Sequence, residues 1–115
     1  LEMKFSKKNP PRKFKVGLDK SIEISDCGSI NLNENEQVTF VTANGKEHDF
    51  AAKSWGFYAT PSLNGRLKSF GLKTALVKNS IDQLYVMVVD PVFIDDFYNY
   101  LDLEKQVLVE WLDER

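Results

Sequence analysis

The run QVTFVTANGKEHDF, residues 37–50, decides how this chain is read. Gln37 to Ala43 is β-prone, Asn44-Gly45 follows, and Lys46 to Phe50 can return. Asn-Gly between two extended runs favours a type I′ hairpin, because both central residues of that turn need positive φ. A two-residue loop would set Thr42 beside Glu47, Val41 beside His48 and Phe40 beside Asp49. An antiparallel sheet is the expected framework.

Upstream, Phe14, Val16 and Leu18 alternate with Lys13, Lys15 and Gly17, the pattern of a half-buried strand. Asp19-Lys20 turns the chain, Ile22 and Ile24 alternate again, Ser25 to Gly28 reads as a turn, and Ile30 with Leu32 continues a weak strand. Residues 3–13 are basic and contain Pro10-Pro11, so they read as an extended arm (1–13) ahead of a single domain spanning 14–115. Leu1 and Glu2 precede Met3 and read as a cloning remnant.

Downstream, Leu72 to Lys78 is a strand and Asn79 to Asp82 a turn. Leu84 to Val89 is apolar on both faces, which predicts a central, buried strand. Asp90-Pro91 is a helix start, a capping carboxylate followed by proline at the first helical position. Phe93, Phe97, Tyr100 and Leu101 fall on one stripe of the resulting helix, residues 91–103. Val107, Val109 and Trp111 then alternate as a closing strand, with an extension of the helix as the alternative. The predicted fold is α+β: a mainly antiparallel sheet of about five to seven strands with one C-terminal amphipathic helix packed on it.

A length of 115 residues fits one hydrophobic core without staples. No apolar run approaches the length that spans a bilayer. The lone Cys27 gives neither a disulfide framework nor a thiolate metal cage, and a cytoplasmic setting fits best. Charge is unevenly spread: residues 1–15 carry +5, residues 16–89 carry −1 and residues 90–115 carry −6. The net −2 argues against a dedicated nucleic-acid binder.

The catalytic inventory is thin. His48 is the one histidine, so multi-imidazole metal sites are excluded by count. His48 and Asp49 are strand neighbours that point to opposite faces, which prevents either from orienting the other directly. Cys27 could pair only with His48 as a nucleophile, and Glu47 with Asp49 could act as paired carboxylates. The glycines of Gly65 to Gly71 are too far apart for a dinucleotide fingerprint. The basic arm, Lys4, Lys7, Lys8, Arg12, Lys13 and Lys15 with Phe5 and Phe14, could grip a phosphate backbone weakly.

The densest chemistry lies in residues 51–71, which fit no simple period. Trp55 and Tyr58 supply flat apolar surfaces, and Lys53, Arg66 and Lys68 supply cations. Small-molecule sites combine apolar walls with a few placed polar groups. The expected function is a small non-enzymatic binding or accessory module for a polar ligand, anionic or carbohydrate, held by Lys53, Trp55, Tyr58, Arg66 and Lys68. No cofactor, metal or membrane is implied. The alternatives are an interaction module acting through homodimerisation, a small enzyme using His48 with an adjacent carboxylate, and weak nucleic-acid binding through the arm.

Overall fold

The computed structural model describes residues 3–115. Leu1 and Glu2, and with them the reading as a cloning remnant, lie outside the described residues. Two compact units can be distinguished: residues up to Val38 together with Phe50–Tyr58, and Thr39–Asp49 together with Ala59–Arg115.

The first unit is built on two long strands, β1 (Lys4–Val16) and β2 (Ile22–Asn31). They pair antiparallel from Lys4 opposite Asn31 to Val16 opposite Ile22. The register breaks between Lys7 and Arg12, where Pro10 and Pro11 have no amide hydrogen to give a ladder. The expected strand start at Phe14 is thus corrected: β1 begins at Lys4, and the basic segment is extended because it is paired. The expected turn at Ser25–Gly28 is corrected too, since β2 runs straight through it. Gly28 makes this tight pairing feasible, because a Cβ at this position would stand 2.5 Å from the Ser6 carbonyl oxygen. Alternation along the ladder sets Phe5, Phe14 and Val16 with Ile30, Ile24 and Ile22 on one face. Lys4, Lys13 and Lys15 share the other face with Asn31, Ser25 and Glu23.

Next along the chain come β3 (Gln37–Val41), β4 (Glu47–Lys53) and β5 (Gly56–Ala59), a sheet in sequential order. Gly45 N–H donates to the Thr42 carbonyl at 2.9 Å, and Thr42 N–H donates to the Lys46 carbonyl at 2.8 Å. The loop therefore holds three residues, Ala43, Asn44 and Gly45, rather than the expected two. Only Gly45 takes positive φ, at +87°, which is the type I turn with a left-handed glycine bulge. One inserted residue shifts the register, so Thr42 faces Lys46 instead of Glu47 and Thr39 reaches Asp49. The Asn44 side chain explains the choice: its carbonyl accepts from the Thr42 hydroxyl and its amide donates to Asp90 at 2.7 Å.

The second unit centres on a sheet ordered β7-β6-β8, with β6 (Lys73–Lys78) flanked antiparallel by β7 (Leu84–Val89) and β8 (Val107–Trp111). The predicted central position of Leu84–Val89 is corrected, since β7 is an outer strand. An apolar run on both faces implies burial only where both faces are covered. Val89 is buried, but Leu84, Val86 and Val88 on the opposite face are 59%, 64% and 41% exposed.

The helix lies where the sequence puts it. Asp90 accepts from the Val92 N–H at 3.0 Å, Pro91–Phe93 form a 3-10 turn, and α2 (Ile94–Leu103) continues from it. A four-residue helix, α1 (Arg66–Ser69), precedes β6. Leu101 packs with Ala75 and Val77 in the core, and Phe97 joins them with its ring 5.6 Å from that of Trp111. Phe93 and Tyr100 depart from the expected stripe and are exposed: a 3-10 turn has three residues per turn and rotates Phe93 off the α-helical face, and Tyr100 stands at the rim of the stripe that Phe97 and Leu101 bury. Asp113 is fully buried and accepts from Thr74 N–H at 2.9 Å and from Lys73 Nζ at 3.0 Å. The architecture is thus mixed α+β with mostly antiparallel sheets, in eight strands among the described residues rather than five to seven. Among the described residues no helix is long and apolar enough to cross a membrane.

Candidate functional site

The second unit carries a cleft of about 240 Å³ lined by Phe40, Val41, Thr42, Lys46, His48, Leu72, Val88 and Asp90. Its walls are mostly hydrocarbon, and its polar groups are held in place. Lys46 Nζ donates to Asp90 Oδ1 at 2.7 Å and to the Gly71 carbonyl at 3.0 Å. The Asp90 carboxylate also takes the Asn44 amide and the Val92 N–H. The Lys46 ammonium beside Asp90, reinforced by Asn44, holds its carboxyl below the ordinary value despite partial desolvation. A lysine has three donors, of which the described contacts engage two at Lys46.

His48 reaches the cleft from β4 and is 9% exposed. Burial pushes its imidazole below the ordinary value, opposed by the Asp49 charge and assisted by that of Arg66. It is therefore neutral near pH 7. Asp49 is committed elsewhere: Thr39 Oγ1 donates to one oxygen at 2.6 Å and Arg66 Nη1 to the other at 3.2 Å. These contacts, Thr39 first, hold its carboxyl low against desolvation. Arg66 also donates to Thr60 Oγ1 at 3.3 Å and stacks its guanidinium 5.4 Å from the Phe70 ring centre.

The residues singled out from sequence divide between the two units. Trp55 and Tyr58, in the first, have ring centres 6.0 Å apart and tilted by 33°. Both are open to solvent, at 69% and 44%. Lys53 donates to the Asn35 side chain at 2.6 Å. Arg66 and Lys68 lie on α1 in the second unit, where the contacts of Arg66 are those just named. Trp55 and Tyr58 therefore come together, while Arg66 engages Asp49, Thr60 and Phe70. Cys27 and Glu47 are exposed.

Sequence reasoning missed Phe40, Val41, Thr42, Lys46, Leu72, Val88 and Asp90 as cleft residues. Asp90 was legible only as a cap. Lys46 carries no local signal, because its partner stands 44 positions away. Among the described residues no group of three His, Cys, Asp or Glu is placed to hold a metal ion. No family model matches the chain, and neither a curated protein nor a solved structure is significantly similar to it.

Proposed function

We propose that this chain is a small non-enzymatic binding module whose ligand sits in the cleft between Phe40, Leu72 and Val88. One observation carries the reading: an ammonium, Lys46, immobilised by Asp90 and Gly71 at the wall of an otherwise apolar cleft. Fixing a cation in advance removes the ordering cost that a free lysine would bring to binding. The third Lys46 N–H suits a carboxylate or carbonyl oxygen, and the hydrocarbon walls suit a flat apolar body. The cleft lies below the size range of drug-like sites, about 300 Å³ and upward, so the ligand is small.

Amide NMR titration with benzoate and with neutral benzamide tests this. Benzoate should move the amide signals of residues 40–48, 72 and 88–90, and benzamide should move them less. Val88→Trp should fill the cleft and abolish those shifts while the far-UV spectrum is unchanged. Shifts confined to Trp55 and Tyr58, or undiminished in Val88→Trp, would reject the cleft as the site.

A second reading is favoured by β7, an outer strand without a single charge and with Leu84, Val86 and Val88 exposed. Such an edge is a template for pairing, and about a twofold axis it can pair with itself. Under this reading the protein dimerises through β7. Val86→Lys should then convert a dimer to a monomer in light scattering, and a wild-type monomer at all concentrations would dismiss it.

A further inference from the structure

We propose that the lysine face of the β1–β2 ribbon binds the phosphate backbone of a nucleic-acid duplex. The register puts Lys4, Lys13 and Lys15 on one face together with Ser6, Ser25, Ser29 and Asn31. Lysine ammonium groups and serine and asparagine side chains are the donors that typically contact phosphate and sugar. Glu23 is the acid on that face, and it lies 3.8 Å from Lys13.

The remaining cations of the strand are arranged differently. Lys7 pairs with Gly28 and stands on the opposite face, while Lys8 and Arg12 both bond Asp26, and Arg12 also stacks on Phe14 at 4.7 Å. Those two are spent on holding the ribbon together across its register break. Lys4, Lys13 and Lys15 are exposed.

Charge complementarity is local and strong. Residues 3–31 hold seven basic and three acidic side chains, while the chain as a whole is at −2. The ribbon is thus a positive element on an acidic protein. A two-stranded ribbon fits the major groove of a duplex, roughly 12 Å wide. From Asn31 to Glu23 the face extends about 27 Å at the usual rise per residue, enough to follow several successive phosphates. The aromatic residues decide between double and single strands. Single-strand binders stack bases on aromatic rings, but Phe5 and Phe14 stand on the opposite face of the ribbon. A duplex, which presents backbone rather than bases, is the matching partner.

The affinity should be modest, insensitive to sequence and steeply dependent on salt. Three phosphate contacts give a slope of log K against log salt near −2.7, a loss of about 40-fold between 50 and 200 mM. The measurement is fluorescence anisotropy of a labelled mixed-sequence DNA duplex of about 20 base pairs with the full chain. Lys4→Glu/Lys13→Glu/Lys15→Glu should weaken binding at least about tenfold and flatten the salt slope. The triple Lys→Gln variant should do the same to a smaller extent and covers any misfolding of the first. Lys105→Gln, outside the ribbon, should leave binding unchanged. Three results would overturn the proposal: no binding at low salt, binding by both triple variants as tight as that of the wild type, or tighter binding of a single strand. Polyglutamate displacing the duplex at lower charge concentration would also overturn it, in favour of an acidic protein partner.

Discussion

Asp90 illustrates how much one side chain settles. Its carboxylate starts the helix through the Val92 N–H, anchors the Asn44 amide of the β3–β4 loop and fixes Lys46 at the cleft wall. The cap was legible because Asp90 and Pro91 are adjacent and capping is a local rule. The ion pair was not, because nothing in a sequence window connects positions 46 and 90. Asn caps about as well as Asp, so Asp90→Asn separates the two roles. It should retain the helix and lose the Lys46 ion pair, lowering the urea midpoint at pH 7 with the slope unchanged. The pH dependence has a definite sign. A carboxyl held below its unfolded value, about 3.9, contributes stability above that pH, and loses it as the pH falls through the folded value. Wild type and Asp90→Asn should therefore converge in stability as the solution is acidified below about pH 4. A constant gap between their urea midpoints from pH 7 to pH 2.5 (about 4.5 pH units) would show that the charge of Asp90 does not matter.

At the level of elements, periodicity served where one face of a strand or helix is buried and misled where it is not. The α2 stripe reads correctly at Phe97 and Leu101, and it fails at Tyr100, which is exposed, and at Phe93, which sits in a 3-10 turn. Leu84–Val89 looked central by composition, yet a run of apolar residues does not reveal which strand stands beside it. Residues 51–71 showed no period because they contain the end of β4, the short β5 and the four-residue α1, each too brief to repeat. The Asn44-Gly45 turn was found and its length was missed, since the same dipeptide serves two-residue and three-residue loops. Gly45 tests this element cleanly. Nothing lies within 4 Å of the position a Cβ would take, so a substitution is felt only through its φ of +87°. Gly45→Ala should cost about 1 kcal/mol, and Gly45→Val, being β-branched, roughly 1–2 kcal/mol. Chemical denaturation measures both. Equal stability of all three proteins would mean the loop relaxes to negative φ without penalty.

At the scale of the whole molecule, local signals reveal the fold class but not the distribution of stability. An α+β pattern with one C-terminal helix follows from local signals, and it is what the chain forms. That the chain makes two compact units was not legible, because the residues of the second come from both sides of Phe50–Tyr58. The two differ in what holds them. In the second, Ala75 and Val77 of β6 are fully buried between flanking strands and against Leu101 of α2. In the first, β1 and β2 form a two-stranded sheet, and Phe5, Ile24 and Ile30 on their apolar face are at least a third exposed. A two-stranded ribbon has little independent stability in water. Opening free energy should follow that contrast, since amide exchange reports local as well as global unfolding. Native-state hydrogen exchange should find the slowest amides in β6, at the global value, and faster exchange along β1 and β2. Leu101→Ala should then lower the β6 values by about 2–5 kcal/mol, the usual range for a truncated core leucine. The β1–β2 amides should change less, because they already exchange through a cheaper local opening. If instead every amide exchanged with one free energy and Leu101→Ala lowered all of them alike, the ribbon and the β6 core would be a single cooperative unit.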